Sequence, residues 1–227
     1  IGAIEDIGHK GTFGDAYGAL NTLFSGLAFA AVTISLVMQR QQLEVTLFEN
    51  AFFSLLSVFC STASGIETID KSGACYKGRE VLRHLYERYS TKQHLADLNI
   101  EIGINISSTQ NFYYFHHVHS HIIDTYFGLF FSLITLVDSR AGERRFDFIQ
   151  IALSQLGSHE SALLFFYGNS ESCPVNWRNL IVKYGLLQRL PDFEDISHTD
   201  IISYAKSAYG QNPIYESAKE ATKRDKA

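Results

Sequence analysis

The chain divides into an apolar stretch without charge and a longer region where apolar and polar positions alternate. From Ala16 to Gln39 there are 24 consecutive uncharged residues, centred on LNTLFSGLAFAAVTISLVM and closed by Arg40. A helix of that length extends roughly 36 Å, enough to cross a hydrocarbon core of about 30 Å with some tilt. Past Arg40, Leu43, Leu47, Phe48, Phe52, Leu55, Leu56 and Phe59 recur at spacings of three and four. This amphipathic stripe predicts a helix over 40–64 that joins the span to the rest of the chain.

The remaining pattern is mostly helical, and the predicted fold class is all-α. Ser64-Gly65 and Ser72-Gly73 predict a loop over 65–78. A helix from Arg79 to about Tyr89 places Val81, Leu82, Leu85, Tyr86 and Tyr89 on one face, with Arg79, Glu80, Arg83, Glu87 and Arg88 on a solvated one. Leu98–Ser108 alternates isoleucine with polar residues, a short strand or a loop, and a lone strand lacks a pairing partner. Further helices are expected over 110–137, 144–167, 175–183 and 199–208, followed by a polar tail that frays from Ile214. Ile122–Val137 is apolar all round, but sixteen residues are short for a bilayer and Asp124 lies inside, so it predicts a core helix.

Within the first apolar run, Gly18, Thr22, Gly26 and Ala30 follow one another at i, i+4. Such a strip of small residues lets another helix backbone approach closely in lipid, and Asn21 and Ser25 lie along its edge, placed to hydrogen-bond across an interface. Burial at the centre of a water-soluble bundle is the competing reading. A signal sequence fits poorly, since the run is long and lacks a basic leader.

Net charge is −5 and the isoelectric point about 6.0, so no global basic field draws in nucleic acid or anionic lipid. Cys60, Cys75 and Cys173 are odd in number and irregularly spaced, which predicts reduced thiols rather than a disulfide framework. Lys10 and Arg40 balance across the span, so the thiols decide the expected orientation: a cytoplasmic C-terminal part and an outer segment 1–15. The expected organisation is an extracytoplasmic loop over 1–15, a transmembrane helix over 16–39, a juxtamembrane helix over 40–64, a cytoplasmic helical domain over 65–210 and a polar tail over 211–227. Because the chain opens on Ile1, the span is expected to be the second of a hairpin whose first helix is missing here, with the glycines of GHKGTFGDAYG forming the turn.

One constellation carries candidate chemistry. His116, His117, His119 and His121 crowd into HHVHSH. On a helix His117 and His121 are i, i+4 with Asp124 a turn beyond, a set able to share a transition metal or to face a partner. HExxH, CxxC, Walker, Rossmann and GxSxG signatures are absent. Tyr17, Tyr113, Tyr114 and Tyr126 are not interleaved with basic residues, as nucleic-acid stacking would favour. The expectation is a protein without enzymatic activity, cofactor or resident metal.

The stretch GTFGDAYGALNTLFSGLAFAAVTISLVMQRQQLE, Gly11 to Glu44, resembles the N-terminal hallmark of the AbiC-like phage abortive infection family. TYFGLFFSLITLVDS (125–139), ALSQLGSHESALLFFYGN (152–169) and NLIVKYGLLQRL (179–190) resemble its C-terminal helices in order. The resemblance implies a small bacterial inner-membrane protein acting in phage defence, similar to membrane effectors found beside retron reverse transcriptases. It implies toxicity held in check by a reverse transcriptase with its RNA/DNA hybrid; the small-residue strip adds the expectation of self-association through the transmembrane helices, and the charge balance that of no direct sequence-specific nucleic-acid binding. A membrane-anchored scaffold without intrinsic toxicity is the alternative. The chain departs from the family where Leu153 and Ser154 precede Gln155 and Gly157 takes a serine's place, and where Gly168 follows Phe166 and Tyr167 with Asn169 one step late. His159 and Glu160 are the nearest replacements for a buried polar contact there.

Overall fold

The computed structural model describes the backbone of residues 2–97 and 108–224, and the side chains of 17–95 and 108–224. Among these the architecture is helical apart from one small hairpin, in agreement with the expected class. The chain forms two compact units, residues 1–50 and 51–227.

The first unit is helix only. Helix α1, Gly2–Gly65, begins there and supplies all of its described structure. The turn expected within 1–15 is therefore not formed. Isolated glycines cost a helix only about 1 kcal/mol each, and no proline interrupts the segment. From Tyr17 to Leu47 every residue is exposed.

The second unit carries the core. Its share of α1 presents Phe52, Phe59 and Ala63 inward, while Phe53 and Val58 face outward. Phe52 meets Phe148 edge-on at 4.8 Å, and Phe59 lies 4.9 Å from Tyr126. Of the predicted stripe, Leu43 and Leu47 are exposed, Leu55 and Leu56 half-buried.

The expected loop at 65–78 is instead an antiparallel hairpin, β1 (Glu67–Ile69) with β2 (Cys75–Lys77), Thr68 opposite Tyr76. Its turn is organised by Asp70, whose carboxylate accepts from the Ser72 N–H at 2.8 Å, the Ser72 hydroxyl at 2.6 Å and the Ala74 N–H at 3.0 Å. An aspartate that captures its own backbone ahead in sequence closes a turn that hydrophobic periodicity does not register.

Helix α2, Arg79–Ser90, buries Val81, Leu82, Leu85, Tyr86 and Tyr89, the five positions read from the sequence. After α3 (Gln93–Asp97) the segment expected as strand or loop lies outside the described residues, apart from Ser108, which opens the central helix α4, Ser108–Arg140. Between Ile122 and Val137, α4 buries nine residues, among them Tyr126, Phe127, Phe130 and Phe131. Its backbone leaves helical values at His119 (φ −117°, ψ 15°), bending the helix.

One helix was expected over 144–167, and two form, α5 (Arg145–Leu153) and α6 (Ser158–Asn169). Gly157 is extended at the start of α6, and the Glu160 carboxylate accepts its N–H at 2.7 Å. This is the glutamate half of a capping box, a start signal that outweighs continuing apolar periodicity. Helix α7, Val175–Tyr184, matches expectation and ends at Gly185 (φ 62°). A Cβ there would also lie 3.2 Å from the Ser207 carbonyl.

The helix expected at 199–208 is reduced to α8 (His198–Ile201) and a 3-10 turn at Lys206–Tyr209. Two side-chain bonds to backbone carbonyls intervene, Tyr204 hydroxyl to Phe165 at 3.0 Å and Tyr209 hydroxyl to Ile201 at 2.7 Å. The expected fraying tail is α9, Ile214–Arg224, with Ile214 and Ala218 buried. Asn212 accepts the Ile214 N–H at 3.0 Å ahead of this helix. Asn-Pro at a helix start is a signal that outweighs the tail's polarity.

Candidate functional site

Two groups of residues were singled out by the sequence, and the structure treats them differently. The strip of α1 is the first. Gly18, Asn21, Thr22, Ser25, Gly26 and Ala30 are all exposed. A Cβ added at Gly18 or Gly26 would meet nothing within 4 Å. The Thr22 hydroxyl donates to the Gly18 carbonyl and the Thr33 hydroxyl to the Phe29 carbonyl, each at 2.9 Å. Both hydroxyls are thereby satisfied inside the helix, which removes the main obstacle to placing them in lipid.

The histidine cluster is the second. Asp124 is reached by neither His117 nor His121 but by His116, whose Nε2 lies 2.7 Å from its Oδ1. The bend at His119 rearranges the faces on which the i, i+4 expectation rested. Among the described residues no three of His, Cys, Asp and Glu gather closely enough to hold a metal ion. His117 and His121 are exposed, and His116 lies in an aromatic stack with Phe112 and Tyr167.

A polar node that sequence periodicity missed lies between α2 and α6. Glu160 is 3 % exposed, and the Arg79 guanidinium reaches both of its oxygens, at 3.2 and 3.1 Å. Arg79, read as part of a solvated face, instead ties two helix starts together. Of the two residues proposed as replacements for a family polar contact, Glu160 makes one, whereas His159 stacks on Phe193 with ring centroids 5.5 Å apart. Glu160 at the third position of α6 was the available signal.

The departure at Gly168 also has a packing reason. A Cβ there would collide with the Tyr204 hydroxyl and the Ile181 side chain. The adjoining carbonyls of Gly168 and Ser170 accept from Arg178 at 2.9 and 2.8 Å, closing the end of α6.

The described residues also form a cleft of about 510 Å³ lined in part by Tyr89, Lys92, Ser108, Asp195 and Asp200. It is roomy enough for a small ligand. Its acids, however, already accept protein hydrogen bonds: Ser108 donates to Asp200 at 2.7 Å, and Tyr86 to Asp195 at 2.5 Å. Nearby, His94 is fully buried between the Arg88 and Asn111 carbonyls, and burial pushes its imidazole below the ordinary histidine value, with those hydrogen bonds opposing the shift. The three cysteines are free thiols. Burial pushes Cys173 up to about 11, so it stays protonated and unreactive at neutral pH.

Among the described residues two helices are long and apolar enough to cross a membrane, Tyr17–Gly65 and Ser108–Arg140, with mean hydropathies of 1.8 and 1.4. In the first none of the apolar window is buried, in the second 50 %. No curated protein and no solved structure matches the chain. The more specific resemblance noted above, Gly11 to Glu44, lies outside the residues matched by a family. Residues 118–194, from the bend of α4 through α5, α6 and α7 to the segment beyond Gly185, match the model of the family described as "Putative phage abortive infection protein", and this match supports a role in phage defence.

Proposed function

We propose that the chain is a membrane-embedded effector of an abortive-infection response, inserted through α1 and toxic when released from an inhibitory partner. The observation that carries the proposal is the exposure of Leu20, Leu23, Phe24, Leu27, Phe29, Val32, Ile34, Leu36, Val37 and Met38, each at least 50 % open. These residues surround the helix on all sides, so no single protein face would cover them. Lipid would, at about 25 cal/mol for each Å² of apolar surface removed from water. Localisation in a bacterial inner membrane, with the second unit in the cytoplasm, follows from the same reading together with the free thiols.

Release requires two states that the partner distinguishes, since a ligand shifts an equilibrium only by its differential affinity. In the proposed mechanism a reverse transcriptase with its RNA/DNA hybrid holds the second unit. On infection its loss lets the Gly18, Thr22, Gly26, Ala30 strips of neighbouring copies pack and disorder the bilayer. No catalytic step enters this mechanism.

The test is Gly26→Leu in a strain expressing the chain alone. A Cβ added at Gly26 meets nothing within 4 Å, so folding and membrane fraction are expected to stay at wild-type level while growth arrest and loss of membrane potential disappear. Unchanged toxicity of the variant rules out helix packing as the mechanism. A wild-type chain that reaches the membrane without collapsing the potential assigns it instead to a scaffold role.

A further inference from the structure

The bend of α4 is closed by a side-chain pair that a straight helix cannot make. His116 and Asp124 are eight residues apart, which in a regular α-helix separates them by about 12 Å along the axis and about 80° around it. Side chains reaching roughly 4 Å each from their Cα atoms leave a gap no hydrogen bond spans. Yet His116 Nε2 and Asp124 Oδ1 are 2.7 Å apart, one on each side of the non-helical His119.

Neither proline nor glycine accounts for the bend. No proline lies in α4, and its one glycine, Gly128, is nine positions past His119. The residues around His119, histidines with Val118 and Ser120, are weaker helix formers that allow a bend without imposing one.

We propose that His116 and Asp124 form a strap that holds α4 bent, so that opening the strap straightens the helix and swings the arm Ser108–Val118 relative to the core segment Ile122–Val137. The strap is built rather than incidental. The His116 ring lies between Phe112 (centroids 6.3 Å apart, 26° between planes) and Tyr167 (5.8 Å, 29°). The Tyr167 hydroxyl faces the same Asp124 oxygen at 3.4 Å. The aromatic stack aims the imidazole, and the carboxylate, half exposed at 52 %, is where water or a partner's cation can compete for the bond. The arm is also held by buried Phe112 and Phe115 and by the Ser108–Asp200 bond, so the strap works together with that packing and its opening shifts the balance toward the straight helix.

The test measures the bend directly in the full chain in lipid nanodiscs. Spin labels are attached through non-natural residues at Tyr113 and Ser132, which are exposed on opposite sides of His119. A straight helix would separate those backbones by about 28 Å. Wild type is expected below that value, and His116→Phe and Asp124→Ala are expected to lengthen it by several ångströms. His116→Phe retains the stack but removes the donor, whereas His116→Gln places an amide N–H near the position of Nε2 and is expected to restore the wild-type distance. Thermal unfolding of each variant confirms that it is folded, and the exposed position of Asp124 keeps that variant informative if the stacked ones unfold. A wild-type distance equal to the straight-helix value overturns the strap, as does an unchanged distance in folded Asp124→Ala.

Discussion

Helices α1 and α4 are close in hydropathy and opposite in environment. Each holds a run that satisfies the length and composition of a membrane span, yet the apolar window of α1 is wholly exposed and that of α4 half buried. Phe29 is 75 % open, while Phe130 is closed off by α4's own neighbours and Phe59 of α1. Hydropathy reports the solvent a helix tolerates. The rest of the molecule decides which solvent it receives. A stack such as Phe131 on Trp177, with centroids 4.6 Å apart and planes 10° from parallel, makes protein the solvent of α4.

This contrast is broken most severely by truncating one aromatic on each helix. Phe130→Ala is expected to cost about 3–5 kcal/mol of stability through lost burial and a residual cavity. Phe29→Ala is expected to leave the melting temperature of the second unit unchanged, measured by thermal unfolding in detergent. Equal losses from both would mean that α1 is packed against protein after all.

A charge is the next strongest probe. Leu27→Arg is expected to oppose insertion by about 2.5–3.5 kcal/mol and to move chain from the membrane pellet to the soluble or degraded fraction. If alkaline extraction leaves the variant in the membrane to the same extent as wild type, α1 is not the span.

Two glycines sharpen the comparison further. Gly168→Ala is expected to destabilise the second unit by about 1–3 kcal/mol, because its Cβ enters space held by Tyr204, whose hydroxyl is fixed on the Phe165 carbonyl. Gly26→Ala, with open space around it, is expected to leave chemical unfolding of the second unit unaltered.

The smallest effect concerns pH. His94 is buried with its imidazole held below the ordinary value, so the unfolded chain binds the extra proton first as pH falls. Its contribution to stability is complete above about pH 6.5 and declines below it, with a slope of at most about 1.4 kcal/mol per pH unit. Denaturant titrations at pH 7.5 and 5.5 should show this loss in wild type and a reduced loss in His94→Gln.

Helix faces were the most legible part of the molecule. The buried side of α2 followed from spacing alone, because a 3.6-residue period writes the core-facing side into the sequence, and the inward character of Ile122–Val137 followed from its apolarity, its length and Asp124 within it. Element boundaries were less legible where a side chain captured the backbone, as Asp70 does in the hairpin and Glu160 at the start of α6. Those signals are single residues, and apolar periodicity passes over them. The geometry expected of the histidines changed for a different reason, while their partner-facing alternative is untouched. That geometry assumed a straight helix, and the bend at His119 gave Asp124 to His116 instead of His117 and His121.

The sequence by itself determined that the chain is helical, that 16–39 suits lipid and that α2 and α4 have buried faces, since each depends on residues near one another along the chain. Only the tertiary structure decided that Arg79 closes on Glu160 across 81 positions, that Gly168 admits no side chain and that His116 meets Asp124 around a bend. Each of these is a contact between groups whose separation along the chain has no fixed relation to their distance in space. Such contacts arise only when packing brings the groups together.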